Sequence, residues 1–170
     1  MKKLLALLFV GMFSLNAHAL FLEPYVGYER GVYGLTDHSG TLVGGRIGTE
    51  IAVLFFVGAD VMMLASGTAD TIGASGDMSR STMGLVFGVD LPLVKAWVGY
   101  NFQDNFSFTY GNTTTDYEST SQKVGVGFTV FPMISANLEY INSEISKAGT
   151  TTVGLDSNLG TYLLSLSFTL

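Results

Sequence analysis

Residue types that could do acid–base chemistry are sparse in this chain, and His38 is the first candidate to test. Of 170 residues, 14 are Asp or Glu, 8 are Lys or Arg and 2 are His, with a formal net charge of −6. His38 stands between Asp37 and Ser39, so an acid, a base and a hydroxyl are consecutive. Catalytic triads are assembled from residues that the fold brings together, and consecutive residues in a polar segment do not orient a nucleophile. We therefore interpret His38 as a solvated loop histidine and expect no catalytic residue.

The sequence also disfavours metal and nucleic-acid binding. Asp104, Asp116 and Glu118 could offer oxygen ligands to Ca²⁺ or Mg²⁺, but their spacing matches no metal-binding loop, and we interpret them as solubilising charges. The chain has no cysteine, which removes thiolate ligands and disulfides. Nucleic acid is a poor partner for an acidic chain, because phosphate binding requires a basic face. We expect no metal and no cofactor.

Most other ionisable residues lie in segments that alternate with a period of two, which is typical of β-strands. Eight such segments occur, each with one apolar face and one face of glycine, small polar residues and a few charges, as in Met83–Val89. Short apolar turns near Ala52, Pro92 and Pro132 recur every forty residues. The polar stretches between the segments are predicted to be loops: Leu35–Thr41, Ser66–Ser81, Asp104–Gln122 and Ser143–Asn158.

The composition indicates which face of these strands points outward. Hydrophobic residues make up 48% of the chain and charged residues only 13%, against roughly 25% charged in an ordinary soluble domain. After the first twenty residues no apolar run reaches the about 20 residues of a membrane-spanning helix. We predict an all-β fold, an eight-stranded antiparallel up-and-down transmembrane β-barrel with a polar core, whose apolar face meets lipid and whose glycines line a narrow interior. The alternative is a soluble barrel with the two faces exchanged.

Charges on the inward face are predicted to pair, because an unpaired buried charge is costly. Counting strand pairs outward from the turn near Val53 places Arg46 opposite Asp60, and Lys123 and Glu139 are diagonal neighbours by the same counting. The predicted network in the lumen consists of Arg46, Glu50, Asp60, Asp90, Lys123 and Glu139. Glu23, Glu29 and, at the mouth, Arg80 share the inward parity. The alternative is an ion path lined by acids, which the surplus of acids over bases leaves open.

Aromatic residues are sorted by height along the predicted strands. Membrane barrels carry aromatic girdles at both interfaces. The predicted girdles consist of Tyr28, Tyr100, Tyr140 and Tyr162 at the loop end and of Phe21, Phe55 and Phe168 at the turn end.

The first residues have the organisation of a secretory signal peptide. Lys2 and Lys3 supply positive charge, Leu4–Phe13 is apolar, and Ala17–Ala19 has the small-x-small form of a cleavage site. We expect residues 1–19 to be a cleaved signal peptide and residues 20–170 to form the barrel domain.

Three features then point to a family: the opening segment Glu23–Tyr28, its partial echo Val98–Tyr100, and the alternating last strand that ends in Phe168-Thr169-Leu170. Over residues 20–170 the chain resembles the small eight-stranded bacterial outer-membrane β-barrels of the OmpA/OmpX type. The resemblance implies an outer-membrane location, three short periplasmic turns and four longer extracellular loops. It also implies contact with outer-membrane lipid and lipopolysaccharide, and an assembly signal in the last strand, with Phe168 and Leu170, that the outer-membrane assembly machinery reads. This chain ends in Leu where the family usually ends in Phe.

We expect a monomer with a closed polar interior that acts in adhesion or envelope integrity through its extracellular loops. In the third hairpin, Phe106, Phe108 and Tyr110 would be offered to a surface partner; the alternative is that the loops only shield the end of the barrel. One alternative is a narrow porin-like channel for ions or small solutes. A second is a lipid A-modifying enzyme, for which the resemblance would pair His38 with Asp77 and Ser79, although a polar core leaves no room for an acyl chain.

Overall fold

The computed structural model describes residues 20–52, 54–149, 151–152 and 158–170. The predicted signal peptide and Val53 lie outside the described residues. Among the residues described, no helix is long and apolar enough to cross a membrane.

Nine antiparallel strands account for almost all of these residues. They are β1 (Leu20–Tyr33), β2 (Thr36–Ala52), β3 (Phe55–Thr71), β4 (Ala74–Asp90), β5 (Val94–Tyr110), β6 (Thr113–Phe131), β7 (Ile134–Ala148), β8 (Thr151–Thr152) and β9 (Asn158–Phe168). From β1 to β7, each strand pairs with the next along the chain, and β9 lies between β1 and β7, which closes the ring. The short β8 extends the sheet beside β7. The predicted eight-stranded up-and-down barrel is therefore confirmed, and β1–β7 and β9 are its eight strands.

The apolar face of the strands points outward, as predicted. Leu85, Val98 and Leu164 expose 58%, 58% and 62% of their surface, whereas the neighbouring positions on the same strands point into the barrel and are buried. Large apolar side chains are normally withdrawn from water, so a band of them around the whole barrel indicates a lipid-facing wall.

The strands extend well beyond this lipid-facing band at the end where β1–β2, β3–β4 and β5–β6 connect, which we call the loop end. The segments predicted as the first three loops are mostly paired strand. The connections shrink to two residues each, Gly34–Leu35, Ile72–Gly73 and Gly111–Asn112, and the glycines take positive φ angles of 59°, 83° and 60° that favour residues without a Cβ. The fourth predicted loop also begins as strand, since β7 continues to Ala148.

These segments form paired strands because the alternation of polar and apolar residues continues in them, with the two faces of the strand exchanged. Beyond the lipid-facing band the outward positions become polar, as at Ser79 and Ser107, while inward positions become apolar, as at Met78 and Phe108. Such a segment faces water outside and a dry core inside, as in a soluble barrel. Register shifts in the sheet, such as those between Met63 and Thr68 and between Asn101 and Asp104, accompany this change.

Candidate functional site

The interior of the barrel holds two sets of buried ion pairs, and the one nearer the periodic apolar turns is built around Arg46. We call Arg46, Asp60, Lys123 and Glu139 the turn-side ionic layer. Arg46 is 1% exposed, lies opposite Asp60 in the register and donates from Nε to Asp60 Oδ2 at 2.6 Å. Its Nη2 donates to Glu139, and Lys123 Nζ lies 2.9 Å from Asp60 Oδ2 and 3.7 Å from Glu139 Oε2. Two bases therefore face two acids across four strands.

Two aromatic rings contact the guanidinium of Arg46. It lies 4.3 Å from the ring centroid of Trp97 and 5.2 Å from that of Tyr25. The Trp97 indole donates to Glu139 at 3.3 Å, and the Tyr25 hydroxyl donates to Asp60 at 2.9 Å. Glycine makes room for these rings, because a Cβ at Gly125 would lie 2.3 Å from the indole of Trp97. The inward glycines thus fit large side chains that reach in from neighbouring strands.

Glu50 and Asp90, which the sequence analysis placed in the same network, lie elsewhere. Asp90 pairs with Lys95 at 3.2 Å at the turn end of the barrel. Both residues line a small cavity of 30 Å³ there, together with Glu50, whose side chain is exposed. Asp90 is the last residue of β4 and Glu50 lies two residues before the end of β2, so both carboxylates are near the turn end, where they reach water. Lys95, which also lies 3.8 Å from Glu23, was missed because it directly follows the Pro92 turn.

The second set of ion pairs is built around Arg80. We call Glu29, His38, Arg80 and Asp104 the loop-side ionic layer. Arg80 donates two hydrogen bonds to the Asp104 carboxylate, at 2.9 and 2.8 Å, and a third to Glu29 at 3.3 Å. Further donations at 3.1 and 3.0 Å reach Thr161 Oγ1 and Ser143 Oγ. A single arginine on β4 therefore binds side chains of β1, β5, β7 and β9 across the whole bore.

Arg80 has the inward position that the sequence predicts. The interpretation of Asp104 as a solubilising loop charge is wrong, because Asp104 is 0% exposed and accepts two hydrogen bonds from Arg80. The outward neighbours of Arg80 are Ser79 and Ser81, His38 is followed by Ser39, and Glu29 lies between Tyr28 and Arg30. This layer therefore begins at the loop-end edge of the lipid-facing band, at Glu29, and extends beyond it.

The prediction that His38 is a solvated loop residue is wrong. His38 is 2% exposed and lies inside the barrel, with Nε2 3.3 Å from Thr161 Oγ1 and 3.8 Å from Glu29 Oε1. Burial, together with the positive charge of Arg80, lowers its pKa to about 4. Asp77 and Ser79 are exposed on the outer face of β4, so the acid, base and hydroxyl of the lipid A-enzyme alternative do not meet.

Apolar side chains separate and cap the two ionic layers. Leu42, Met62, Ile141 and Leu163 pack together between them. Nearer the loop end, Phe106 and Phe108 pack with four other buried residues and with Tyr33 and Tyr117. The Phe106 and Tyr117 rings stack at 4.8 Å. The expectation that Phe106 and Phe108 face a surface partner is therefore wrong, because both point into the barrel. We call Phe106, Phe108, Tyr33 and Tyr117 the aromatic plug.

The predicted girdle residues mostly point outward. Tyr28, Tyr100, Tyr140 and Tyr162 are 39–64% exposed near the loop-end edge of the lipid-facing band, and Phe55 and Phe168 are 43% and 40% exposed near the turn end. Phe21 differs, because its strand position points inward and its ring packs edge-on against Phe56 at 5.6 Å. In the predicted assembly signal, Phe168 and Leu170 both face outward, and Leu170 exchanges two backbone hydrogen bonds with Leu22.

A closed ring of eight antiparallel strands with an apolar exterior and an ion-paired interior defines a class, the small outer-membrane β-barrels of the OmpA/OmpX type. Solved structures of that class match this fold. Ail, the attachment invasion locus protein of Yersinia pestis, is 13% identical, with 89% of this chain and 99% of Ail covered at a TM-score of 0.60. Ail in complex with the heparin analogue sucrose octasulfate matches at 12% identity over the same shares, with a TM-score of 0.62. Neisserial surface protein A is 15% identical over 88% of this chain and 96% of its own, with a TM-score of 0.55.

No family model and no curated protein matches the sequence. The structural likeness at these identities therefore shows the fold, and function has to be argued from the residues of this chain.

Proposed function

We propose that this chain is a monomeric barrel of the bacterial outer membrane, exported with residues 1–19 as a cleaved signal peptide, that conducts no solute and acts at the cell surface. The lipid-facing band supports the membrane location. The last strand, with Phe168 and Leu170 outward, is the segment that the assembly machinery would read. In this orientation the turn end is periplasmic and the loop end is extracellular.

The single observation that carries the closed bore is the filling of the interior by Arg46 and Arg80 with their partners. Each arginine is buried and bonds to side chains on opposite walls of the barrel. An eight-stranded barrel has an interior only wide enough for side chains, and apolar side chains of the described residues pack between and above the two ionic layers. Ions would have to break buried salt bridges to pass.

A role at the cell surface is supported by the length of the extracellular wall. On β3, eight residues from Leu64 to Thr71 follow the lipid-facing band. At about 3.3 Å per residue and a strand tilt of about 40°, they raise the wall by about 20 Å above the membrane. Paired strands closed by two-residue turns make this a rigid surface, suited to contact with another molecule or with lipopolysaccharide.

The charge of this wall limits the class of ligand. Within the described ranges, its exposed charged side chains are acidic at Asp37, Asp70, Asp77, Asp116, Glu118 and Glu144 and basic at Arg30 and Lys147. Ail was crystallised with a sulfated heparin analogue, but a polyanion would be repelled by this surface. We therefore propose a neutral or cationic surface ligand in place of a sulfated one.

A narrow cation channel is the second candidate, and one observation favours it. Among the inward charged residues described, four are bases (Arg46, Arg80, Lys95 and Lys123) and six are acids (Glu23, Glu29, Asp60, Asp90, Asp104 and Glu139). An acidic surplus would attract cations. Swelling of proteoliposomes in isotonic sugar and in potassium salts distinguishes the two functions, because a closed bore gives the same rate as empty liposomes.

The location is tested separately by fractionating cells that make the protein. We expect recovery with the outer membrane and a heat-modifiable band on gels. Recovery in the soluble periplasmic fraction would defeat the proposal and revive the soluble barrel. Mass spectrometry of lipid A from cells with and without the gene tests the remaining enzymatic alternative, and we expect identical spectra.

A further inference from the structure

The loop-side ionic layer carries a charge imbalance that its partners do not remove. With both carboxylates ionised and His38 neutral, Arg80 supplies one positive charge against the two negative charges of Glu29 and Asp104. All four side chains are 0–3% exposed. Burying one uncompensated charge is costly, and proteins avoid the cost by binding a proton.

The other groups around this layer supply no further charge. The apolar residues Leu42, Met62, Ile141 and Leu163 separate it from the turn-side ionic layer. In that layer two bases face two acids, and the further acid Glu23 lies 3.8 Å from both Arg46 and Lys95. The side chains that face it from the remaining strands are neutral: Leu64 and Ala69 of β3, Ser119 and Ser121 of β6, Ser143 of β7, Thr161 of β9, and the rings of Tyr33 and Tyr117 above.

Two atoms show where a proton would go. Glu29 accepts from Arg80 through Oε2, while Glu29 Oε1 is buried without a hydrogen-bond partner among the described residues. His38 Nε2 lies 3.8 Å from that oxygen, and His38 Nδ1 is likewise buried and unpartnered in the described part of the chain. Asp104 is a poor competitor for the proton, because two hydrogen bonds from Arg80 and one from Ser143 stabilise its carboxylate.

We propose that Glu29 and His38 form a proton-binding site inside the extracellular mouth, and that the closed mouth holds one proton there at neutral pH. A proton from water converts the Glu29 carboxylate to a carboxylic acid, which leaves Arg80 and Asp104 as a balanced pair. Loss of that proton at higher pH leaves one net negative charge in the dry mouth and weakens the packing of the extended hairpins. The inference rests on the closed bore proposed above.

The direction of the pH dependence follows from the two groups separately. Burial raises the pKa of Glu29 and lowers that of His38 to about 4. A raised folded-state pKa for Glu29 means that the stability it contributes is lost as pH rises through that value, whereas His38 costs stability only as pH falls below its unfolded value of about 6.5. Above about pH 6.5, the decrease in folding stability with pH that this site causes therefore comes from Glu29.

The test compares the thermal unfolding of the wild type with that of Glu29→Gln in detergent micelles between about pH 6.5 and pH 9. Heat-modifiable migration on gels measures the folded fraction at each temperature. The amide has the shape of the protonated acid and cannot lose the proton. We expect the wild-type midpoint to fall by about 3–5 °C for each pH unit between about pH 6.5 and the folded-state pKa of Glu29, where only the folded state keeps the proton, and to level off above it. Glu29→Gln should lack this decline. The matched control is Glu118→Gln, an exposed carboxylate of the same wall that pairs with Lys147, which should retain the wild-type slope.

Equal slopes for the wild type and Glu29→Gln would overturn the proton site. A second measurement, on the wild type alone, follows the nitrogen chemical shifts of labelled His38, which should stay those of a neutral ring down to about pH 5. Titration near the ordinary value of about 6.5 would show an open, hydrated mouth and overturn the inference. Failure of the closed bore is recognised independently, because proteoliposomes would then swell with wild type and Glu29→Gln alike at every pH.

Discussion

Replacing Arg46 by Met removes a buried charge from the turn-side ionic layer and leaves an unbranched apolar side chain in its place. The guanidinium bonds to Asp60 and Glu139 and stacks on Trp97. Without it, Lys123 alone faces two buried carboxylates, so one negative charge has no partner. Breaking a buried ion pair by removing one member costs about 3–5 kcal/mol, and we expect a loss of this size in the free energy of unfolding.

Urea unfolding of the refolded protein in lipid vesicles measures this loss, provided that unfolding and refolding curves coincide. The matched control is Arg30→Met, which removes an exposed arginine from the outer face of β1 and should change the free energy by less than about 0.5 kcal/mol. Arg46→Met combined with Glu139→Gln restores charge balance and should recover part of the loss. The buried ion pairs would be refuted as a source of stability if Arg46→Met had the same free energy of unfolding as the wild type. Strictly additive losses in the double variant would likewise refute the interaction between Arg46 and Glu139.

Two further predictions concern how the interior is packed. Gly125→Ala places a methyl group 2.3 Å from the Trp97 indole, whereas a Cβ at Gly45 meets nothing within 4 Å; only Gly125→Ala should lower the urea midpoint or the yield of folded barrel, and equal behaviour of the two variants would contradict the packing. Trp97, the single tryptophan, is 3% exposed, so acrylamide should barely quench its fluorescence in the wild type, and strong quenching would indicate a hydrated bore.

The fold and the turn-side ionic layer could be predicted because the membrane enforces a strict pattern. Lipid requires an apolar residue at every second position, so the parity of Arg46, Asp60 and Glu139 shows that they share the interior. The short turn near Val53 then sets the register that places Arg46 opposite Asp60. Lys95 escaped this reasoning because parity is ambiguous beside a proline turn.

The loop-side ionic layer and the aromatic plug could not be predicted in the same way. Above the membrane the outward residues must be polar, so the alternation continues with its two faces exchanged, and segments such as Ser66–Ser81 read as loops. Irregular register near the change of phase, between Asn101 and Asp104, also moves parity by one residue. The buried partners of Arg80 and the burial of His38 depend on contacts between strands far apart in sequence, which a single sequence does not encode locally.

Closure of the bore by side chains is tested most directly by the conductance of the refolded wild-type protein in a planar lipid bilayer. The folded state of each preparation is first established by heat-modifiable migration. We expect no unitary current in concentrated potassium chloride at neutral pH, whichever polarity is applied. Stable unitary currents from the folded protein would contradict a closed bore, because they require a continuous aqueous path past Arg46 and Arg80.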